Sequence, residues 1–348
     1  MSGAVRRLPW LLLLCMSGAC DQCVPQPSAQ WELLHDGDPG ALLSVRAAAG
    51  SVWVSGGDPD GPEGPATGTL LVDDDPSDEE DFISLDTGLQ SDLWWVAPVD
   101  ANLAWVGGSD GLVARVERSG SEVSVTELTT PVADDADDNL IVFGVLAVGE
   151  DVWAVGGQIG GITGGFLWRS QGADALADVA VPTSLDDFVL WKAAARAPDD
   201  VWFVGTHGLT LHWDGATLTE LLAGEDASLF TVSVDDGGAV AVGRAGGQGR
   251  VLSRGLDNGA PWDDVTPAGG TLPAMFGVHA LGGEGLVVGD SGTVLVREDG
   301  GWTRQELGVP MFVTLHSCLL GEDGDAFAVG GSLTTLPLRG GVLLRRTP

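Results

Sequence analysis

Seven copies of one short pattern divide this chain into units of about 40–50 residues, the length of one four-stranded propeller blade. Each copy is an apolar run, often containing tryptophan, that ends in glycine. The copies are Ser51–Gly56, Asn102–Gly107, Asp151–Gly156, Asp200–Gly205, Gly238–Gly243, Gly285–Gly289 and Asp325–Gly330. A repeat of this kind restricts the fold more than any other feature of the sequence, because each unit must have the same structure and pack on its neighbours.

Each unit contains four short runs. Around Asp200–Gly205, the apolar run Phe188–Ala193 comes first, and Leu209–Trp213 and Leu218–Leu222 follow. The dipeptide Asp214-Gly215 predicts a tight turn between the last two. Because most runs are apolar throughout, both faces of each sheet are expected to be buried between neighbours, with the tryptophans as core residues. The sequence therefore predicts an all-β fold, a seven-bladed β-propeller with four-stranded antiparallel blades.

The last unit has only three runs before Pro348, and the segment 30–34 near the start belongs to no other unit. We expect these residues to form the N-terminal strand that closes the last blade, because this pairing removes an exposed sheet edge. The predicted organisation is a signal peptide at residues 1–19, a tether at 20–29 and a single propeller at 30–348.

The first twenty residues resemble a bacterial lipoprotein signal. Arg6 and Arg7 precede the apolar run Leu8–Met16, which is too short to span a bilayer as a mature helix, and small residues then precede Cys20. Ser17 stands where such signals usually have leucine, so an ordinary secretory signal is the alternative. We expect an exported protein of the cell envelope, in the periplasm or at the cell surface, whose only membrane contact is a lipid on Cys20.

Two other cysteines remain in the predicted mature chain, Cys23 and Cys318. An exported compartment permits a disulfide between them, and closure of the last blade would bring them to the same blade. Two unpaired thiols are the alternative.

The formal charge of −34, from 50 acidic and 16 basic residues, argues against nucleic acid as a partner, because so acidic a field repels phosphates. Two acidic segments, Asp73–Asp81 and Asp134–Asp138, contain enough carboxylates to suggest calcium. Neither has the spacing or the glycine of an EF-hand loop. We expect solvated loops and no cofactor or metal, with calcium as the alternative.

The segments Gly289–Thr303 and Asp257–Trp262 resemble the BNR or Asp-box class of propeller repeats, and the first is similar to photosystem II assembly-factor-like propellers of bacteria. The resemblance implies that Asp257–Trp262 is a structural turn between third and fourth strands. The best-known enzymes with Asp boxes are sialidases, and the resemblance to them would imply a tyrosine nucleophile and three substrate-binding arginines. The chain contains no tyrosine, so this chemistry is excluded.

An alignment of the predicted innermost strands places Arg46, Lys192, His279 and His316 at about one position of the repeat. The other three units have Ala97, Leu146 and Ser233 there. Cationic side chains collected at one radius predict an anion-attracting mouth of the central channel.

These observations favour a non-catalytic binding or scaffold protein, a monomer whose partner is a protein or a carbohydrate at the cell envelope. The alternative is a polysaccharide-acting hydrolase or lyase, which needs paired carboxylates. Clustered carboxylates in a central pocket would favour the enzyme.

Overall fold

The computed structural model describes residues 31–347, apart from 38–39, 58–66, 77–81, 133–139, 159–162, 172–173, 225, 258, 299 and 334–337. The described residues form seven four-stranded antiparallel sheets, arranged as the blades of a propeller. The predicted fold class and the number of blades are therefore confirmed. No helix in this part of the chain is long and apolar enough to cross a membrane.

Each blade runs from an innermost strand to an outermost one. The innermost strands are β2 (Leu42–Ala48), β6 (Leu93–Pro98), β10 (Leu140–Val148), β14 (Leu190–Ala197), β18 (Ala227–Asp235), β22 (Met275–Leu281) and β26 (Thr314–Leu320). The second strands are β3 (Ser51–Gly56), β7 (Leu103–Gly108), β11 (Asp151–Gln158), β15 (Asp200–Gly205), β19 (Gly238–Ala245), β23 (Glu284–Gly289) and β27 (Ala326–Ser332).

The third and fourth strands form the outer half of each blade, and the fourth strand is the shortest in five of the seven blades. The third strands are β4 (Thr69–Asp73), β8 (Val113–Ser119), β12 (Phe166–Gln171), β16 (Thr210–Trp213), β20 (Gln248–Arg254), β24 (Thr293–Glu298) and β28 (Arg339–Arg346). The fourth strands are β5 (Ile83–Ser84), β9 (Glu122–Glu127), β13 (Ala177–Asp178), β17 (Leu218–Glu220), β21 (Asp263–Asp264), β25 (Gly301–Gln305) and, in the last blade, β1 (Trp31–Gly37). Short 3-10 turns at Thr206–Gly208 and Asp290–Gly292 connect second to third strands.

The ring closes as predicted. Strand β1 pairs antiparallel with β28, from Trp31 opposite Arg346 to Gly37 opposite Gly341. The Trp31 side chain is buried, and its indole N–H donates to Gln305 Oε1 of the sixth blade at 3.1 Å. The N-terminal strand therefore completes the seventh sheet and also holds it against the sixth.

The hydrophobic core lies between blades. One cluster joins Leu286 and Val288 of the sixth blade to Leu315 and Ala328 of the seventh. A second joins Val45 and its neighbours in the first blade to Val329 and its neighbours in the seventh. Burial of both sheet faces, predicted from the apolar runs, follows from this packing and leaves the centre of the ring to a channel.

Every innermost strand has a β-bulge near its start. One residue has no partner in the strand pairing, and the residue before it lies opposite a glycine near the end of the second strand, as in the pair Leu42 and Gly56. A Cβ on Gly56 would lie 2.4 Å from the carbonyl oxygen of Ala41, and one on Gly156 would lie 1.9 Å from that of Ile141. The repeated glycine is thus required by the bulge, because the backbone beside the bulge lies too close to this position to leave room for a side chain.

The structure corrects one position of the repeat. In the second blade the glycine opposite the residue before the bulge is Gly108, which pairs with Leu93, rather than Gly107. The segment Asp257–Trp262 lies between the third strand β20 and the fourth strand β21, where the Asp-box resemblance places it. Its indole, on Trp262, donates to Thr210 Oγ1 of the preceding blade at 3.2 Å.

Candidate functional site

The seven bulge residues lie at one mouth of the central channel, and we call them the collar. Their side chains are large and, with one exception, apolar. The collar consists of Leu43, Trp94, Phe143, Trp191, Phe230, Phe276 and His316. Because a bulge turns a side chain out of the regular alternation of a strand, each of these residues is free to face the channel instead of the neighbouring blade.

The rings of the collar touch one another in sequence order. The centroids of Trp94 and Phe143 lie 5.3 Å apart, and those of Phe143 and Trp191 lie 4.5 Å apart. The series continues from Trp191 to Phe230 at 5.6 Å, then to Phe276 at 4.7 Å and to His316 at 5.9 Å. These edge-to-face, tilted and stacked contacts support the four rings between Trp94 and His316 from both sides, so the collar is preorganised.

The collar surrounds a cavity of about 250 Å³, which Lys192, Thr231 and Leu333 also line. Most of the collar rings keep part of their surface exposed. An open cavity with an apolar wall and few polar groups is the usual form of a binding site for a small molecule or a single side chain.

The structure corrects the predicted alignment of the four cationic residues, which lie at three positions rather than one. His316 is itself a bulge residue, Lys192 is one residue after its bulge, and Arg46 and His279 are three residues after theirs. The alignment placed the starts of the innermost strands of the fourth and seventh blades at Phe188 and Phe312. Both residues precede the strands that the structure shows, β14 and β26.

Arg46 and Lys192 nevertheless meet at one side chain, Trp95 of the second blade. The guanidinium carbon of Arg46 lies 4.1 Å from the ring centroid of Trp95, and Lys192 Nζ lies 4.0 Å from it. Lys192 Nζ also donates to the carbonyl oxygen of Phe143. Lys192 lines the collar cavity, whereas Arg46 and Trp95 line the other end of the channel.

Arg46 is held by neutral groups. Its Nη1 donates to the carbonyl oxygens of Val45 at 2.7 Å and Cys318 at 3.0 Å, and to Ser317 Oγ at 3.1 Å. Within the described chain, no carboxylate forms an ion pair with Arg46 or Lys192. The channel therefore contains two basic side chains that form an ion pair with no described acid, inside a protein of net charge −34.

Burial shifts the protonation of all four groups toward the neutral form. It lowers the pKa of Arg46 to about 10, and it lowers the pKa of Lys192 well below that of an exposed lysine, with a further contribution from the charge of Arg46. The pKa of His279 and that of His316 are each lowered to about 4, again mainly by burial. Both histidines are therefore neutral at pH 7. His316 Nε2 donates to the Gly331 carbonyl oxygen at 2.9 Å.

The opposite end of the channel has a different lining. Mainly small and aliphatic residues, together with Trp95, surround a space of about 220 Å³, with Arg46 and His279 as its ionisable groups. No described residue that lines either end is an aspartate or a glutamate. The clustered carboxylates that would favour a polysaccharide hydrolase are therefore not found among the described residues that line the channel.

The remaining predicted site residues lie partly outside the described residues. Cys20 and Cys23 do so entirely, so lipidation and the disulfide stay predictions. Cys318 is buried, and its thiol donates to the carbonyl oxygen of Leu286 at 3.4 Å. The acidic segment at 134–138 is not described, and the other is described only to residue 76. Within the described part of the chain, no group of three His, Cys, Asp or Glu side chains is arranged to hold a metal ion.

Sequence reasoning missed the collar, although the signal is present. An aromatic residue or leucine occurs in each predicted innermost run, but a bulge is not visible in the sequence. The repeated glycine provides a reference, because each collar residue follows by one the residue that pairs with that glycine.

Comparison with known proteins supports the fold. No protein-family model matches the chain, and no curated protein matches it. Among solved structures, YCF48 bound to D1 peptide is similar over 93% of this chain and 98% of its own, with 14% identity and a TM-score of 0.62. YCF48 from Cyanidioschyzon merolae is similar over 91% of this chain and 98% of its own, with 12% identity and a TM-score of 0.63. The WD40 β-propeller domain of Doa1 is similar over 90% of this chain and 96% of its own, with 14% identity and a TM-score of 0.59. At these identities the likeness establishes a propeller fold.

Proposed function

We propose that this protein is a non-catalytic binding propeller whose collar receives an apolar side chain of a protein partner. The observation that carries the proposal is the collar itself: seven successive blades each contribute one bulge residue, and together they leave an open apolar cavity of about 250 Å³. If the collar rings served only to pack the interior, they would be covered by other side chains instead of bordering an open cavity. A preformed apolar cavity with a rigid rim is suited to anchoring one side chain of a larger interface.

The structural neighbours support a protein partner. One of them is described as bound to a peptide, and others are WD40 propellers. Extending peptide binding to this chain is our proposal, because fold alone does not specify a partner. Two exposed apolar residues of the seventh blade, Phe312 and Leu333, would widen the contact, and Leu333 lines the collar cavity.

The proposed location is the cell envelope, with the propeller as a monomer anchored through a lipid on Cys20. The support is the signal-like segment that ends at Cys20. Metabolic labelling with a fatty-acid analogue tests it: the label should enter the full chain and should be lost in Cys20→Ser. Cys15→Ser is the matched control and should keep the label. A Cys20→Ser protein that remains labelled would contradict the proposal.

A peptide selection tests the binding function. A displayed library of random peptides is selected on the full purified chain, and the selected peptides are then measured against Phe276→Ala and Phe312→Ala. We expect at least a tenfold loss of affinity with Phe276→Ala, which opens the collar, and a smaller loss with Phe312→Ala, whose side chain is 87% exposed. Selected peptides that bind Phe276→Ala as well as the original protein would place the binding surface elsewhere. A parallel oligosaccharide array that gave the only specific binding would replace the protein partner by a carbohydrate.

A further inference from the structure

The polar groups of the collar cavity are few and of one sign. Its ionisable lining residues are Lys192 and His316, and Thr231 provides a hydroxyl group that donates to the Phe276 carbonyl oxygen at 2.5 Å. His316 is neutral at pH 7 and its Nε2 is already used by a backbone carbonyl. Lys192 is therefore the group that decides which charge the cavity accepts.

Lys192 has donor capacity that the described contacts do not use. An ammonium group has three N–H donors, and one of them goes to the Phe143 carbonyl oxygen. The Trp95 ring adds a favourable cation–π contact but accepts no full hydrogen bond. A lysine placed among aromatic rings, near a second cation and without a carboxylate partner is disfavoured as an ammonium. A ligand that supplies the missing anion would remove this penalty.

An aromatic cavity can also suit a cation, because rings attract ammonium groups. In this collar Lys192 would stand beside such a ligand, and no described carboxylate lines the cavity to offset the repulsion. A neutral apolar ligand would fit the rings but leave Lys192 unpaired. The lining therefore favours a ligand that is apolar over most of its surface and anionic at one end.

We propose that the collar binds an apolar carboxylate, with the apolar group among the rings and the carboxylate accepting a hydrogen bond from Lys192. This inference rests on the collar being the binding site and adds the chemistry of its occupant. The carboxylate can come from a free aryl acid or from an aspartate or glutamate beside an apolar residue of the protein partner. Binding by either source favours the ammonium form of Lys192, which the ion pair requires.

The overall acidity of the protein does not conflict with this ligand. Repulsion from a net charge of −34 acts at long range, and salt screens it over roughly 10 Å. The contact with Lys192 is inside the channel, where ions screen it less. The acidic field therefore slows the approach of anions in general, and only a ligand that reaches Lys192 and fills the collar gains the compensating contacts.

Three probes of one shape test the proposal by calorimetry on the full chain: 3-phenylpropionate, 3-phenylpropionamide and 3-phenylpropyltrimethylammonium. We expect the acid to bind at least tenfold more tightly than the amide, and the ammonium to bind most weakly. Lys192→Met keeps the apolar stem and should make the affinities for the acid and the amide equal. Arg115→Met removes an exposed cation on the outer part of the second blade and is the matched control, which should keep the preference.

A second measurement needs no variant. Lys192 is the only lysine in the sequence, so labelling with ¹³C-lysine gives a single side-chain signal for the whole protein. Titration of that signal should show a pKa raised by the acid and unchanged by the amide. Blocked peptides containing Phe-Asp, compared with Phe-Asn, distinguish a protein source of the carboxylate from a free acid.

The outcomes separate this inference from the proposed function. Equal affinity for acid and amide, or a preference for the ammonium probe, would overturn the carboxylate while leaving the collar as a binding site. If neither the affinity of any probe nor that of any selected peptide depends on Phe276, both the carboxylate inference and the proposed function would be overturned. An acid preference that survives in Lys192→Met, with a Lys192 signal that does not respond, would assign the anion to another residue.

Discussion

Two sets of aromatic side chains in this propeller, a buried set and the collar, have opposite environments. The second strands contribute Trp53, Trp153 and Trp202, which are fully buried. The innermost strands contribute the collar, whose rings contact one another around an open cavity. Both sets come from the same repeat, with about ten residues between the two positions. The difference shows that an aromatic residue in a repeat becomes core or surface according to its position relative to the bulge.

The buried tryptophans are stacked with cations. An arginine guanidinium lies over each of the three tryptophans, with the carbon of Arg169 4.6 Å from the ring of Trp153 and that of Arg254 5.5 Å from the ring of Trp202. Asp200 Oδ1 accepts hydrogen bonds from Trp202 Nε1 and His212 Nε2, both at 2.8 Å. Stacked cations and shared carboxylates join neighbouring strands and blades here. In the collar, Lys192 has no such acid.

The largest expected effect comes from replacing one tryptophan of the buried set and, for comparison, one of the collar. Trp202→Ala should lower the free energy of unfolding by about 3–5 kcal/mol, because it removes a fully buried side chain and its arginine contact. Trp191→Ala should cost about 1 kcal/mol, since its ring is half-buried and borders the cavity. Urea denaturation measures both. Equal losses would mean that the collar is part of the core.

The next prediction concerns acid pH. Unfolding raises the pKa of His316 from about 4 toward its ordinary value of 6.5, so the unfolded chain binds more protons between these values and stability falls as pH decreases. This loss is at most about 3 kcal/mol for each histidine with such a shift, and His279 contributes in the same direction.

His316→Phe should keep the shape of the collar and reduce the difference in unfolding free energy between pH 7 and pH 4.5. His207→Asn is the control, because His207 is exposed and asparagine tolerates its positive φ of 57°. Urea denaturation at the two pH values gives the comparison. A pH dependence that His316→Phe leaves unchanged would contradict burial of a neutral histidine in the collar.

A smaller effect on stability is expected from Asp200→Asn, which changes a hydrogen-bond partner of the buried Trp202. Burial opposes ionisation of Asp200, but hydrogen bonds from His212, Arg196 and Trp202 outweigh it and hold the pKa of the carboxyl below its usual value. The stability it contributes is present above the unfolded pKa and is lost as pH falls through the folded one. Replacement by asparagine should cost about 1–3 kcal/mol at pH 7. Asp214→Asn, in an exposed turn, is the control for carboxylate replacement, and a matching loss there would remove the special role of Asp200.

The smallest effect is one of reactivity. Burial raises the pKa of the Cys318 thiol to about 12, so iodoacetamide at pH 8 should leave the folded protein unmodified at this residue and should alkylate it in urea. Mass spectrometry locates the label. Rapid alkylation of the folded protein would show that this part of the channel wall opens. Alkylation in urea that requires a reductant would reveal the disulfide with Cys23.

The arrangement of the blades follows from patterns that single residues display. Seven glycine-terminated runs predicted seven blades, and the unassigned segment at residues 30–34 predicted the pairing of β1 with β28. These features depend on hydrophobic runs and on one unpaired sheet edge, which survive an error of a residue or two in alignment. Positions in the channel do not survive such an error, because a shift by one residue turns a side chain to another face.

What the sequence determined by itself is the number of sheets, their order and the closure of the ring, because each of these is encoded locally and repeated seven times. Only the tertiary structure decided that Trp94, Phe143, Trp191, Phe230 and Phe276 form a collar and that Lys192 lies under it beside Arg46. The physical reason is the bulge. One extra residue in each innermost strand redirects a side chain into the channel, and contacts between residues about fifty positions apart arise only when the blades close into a ring.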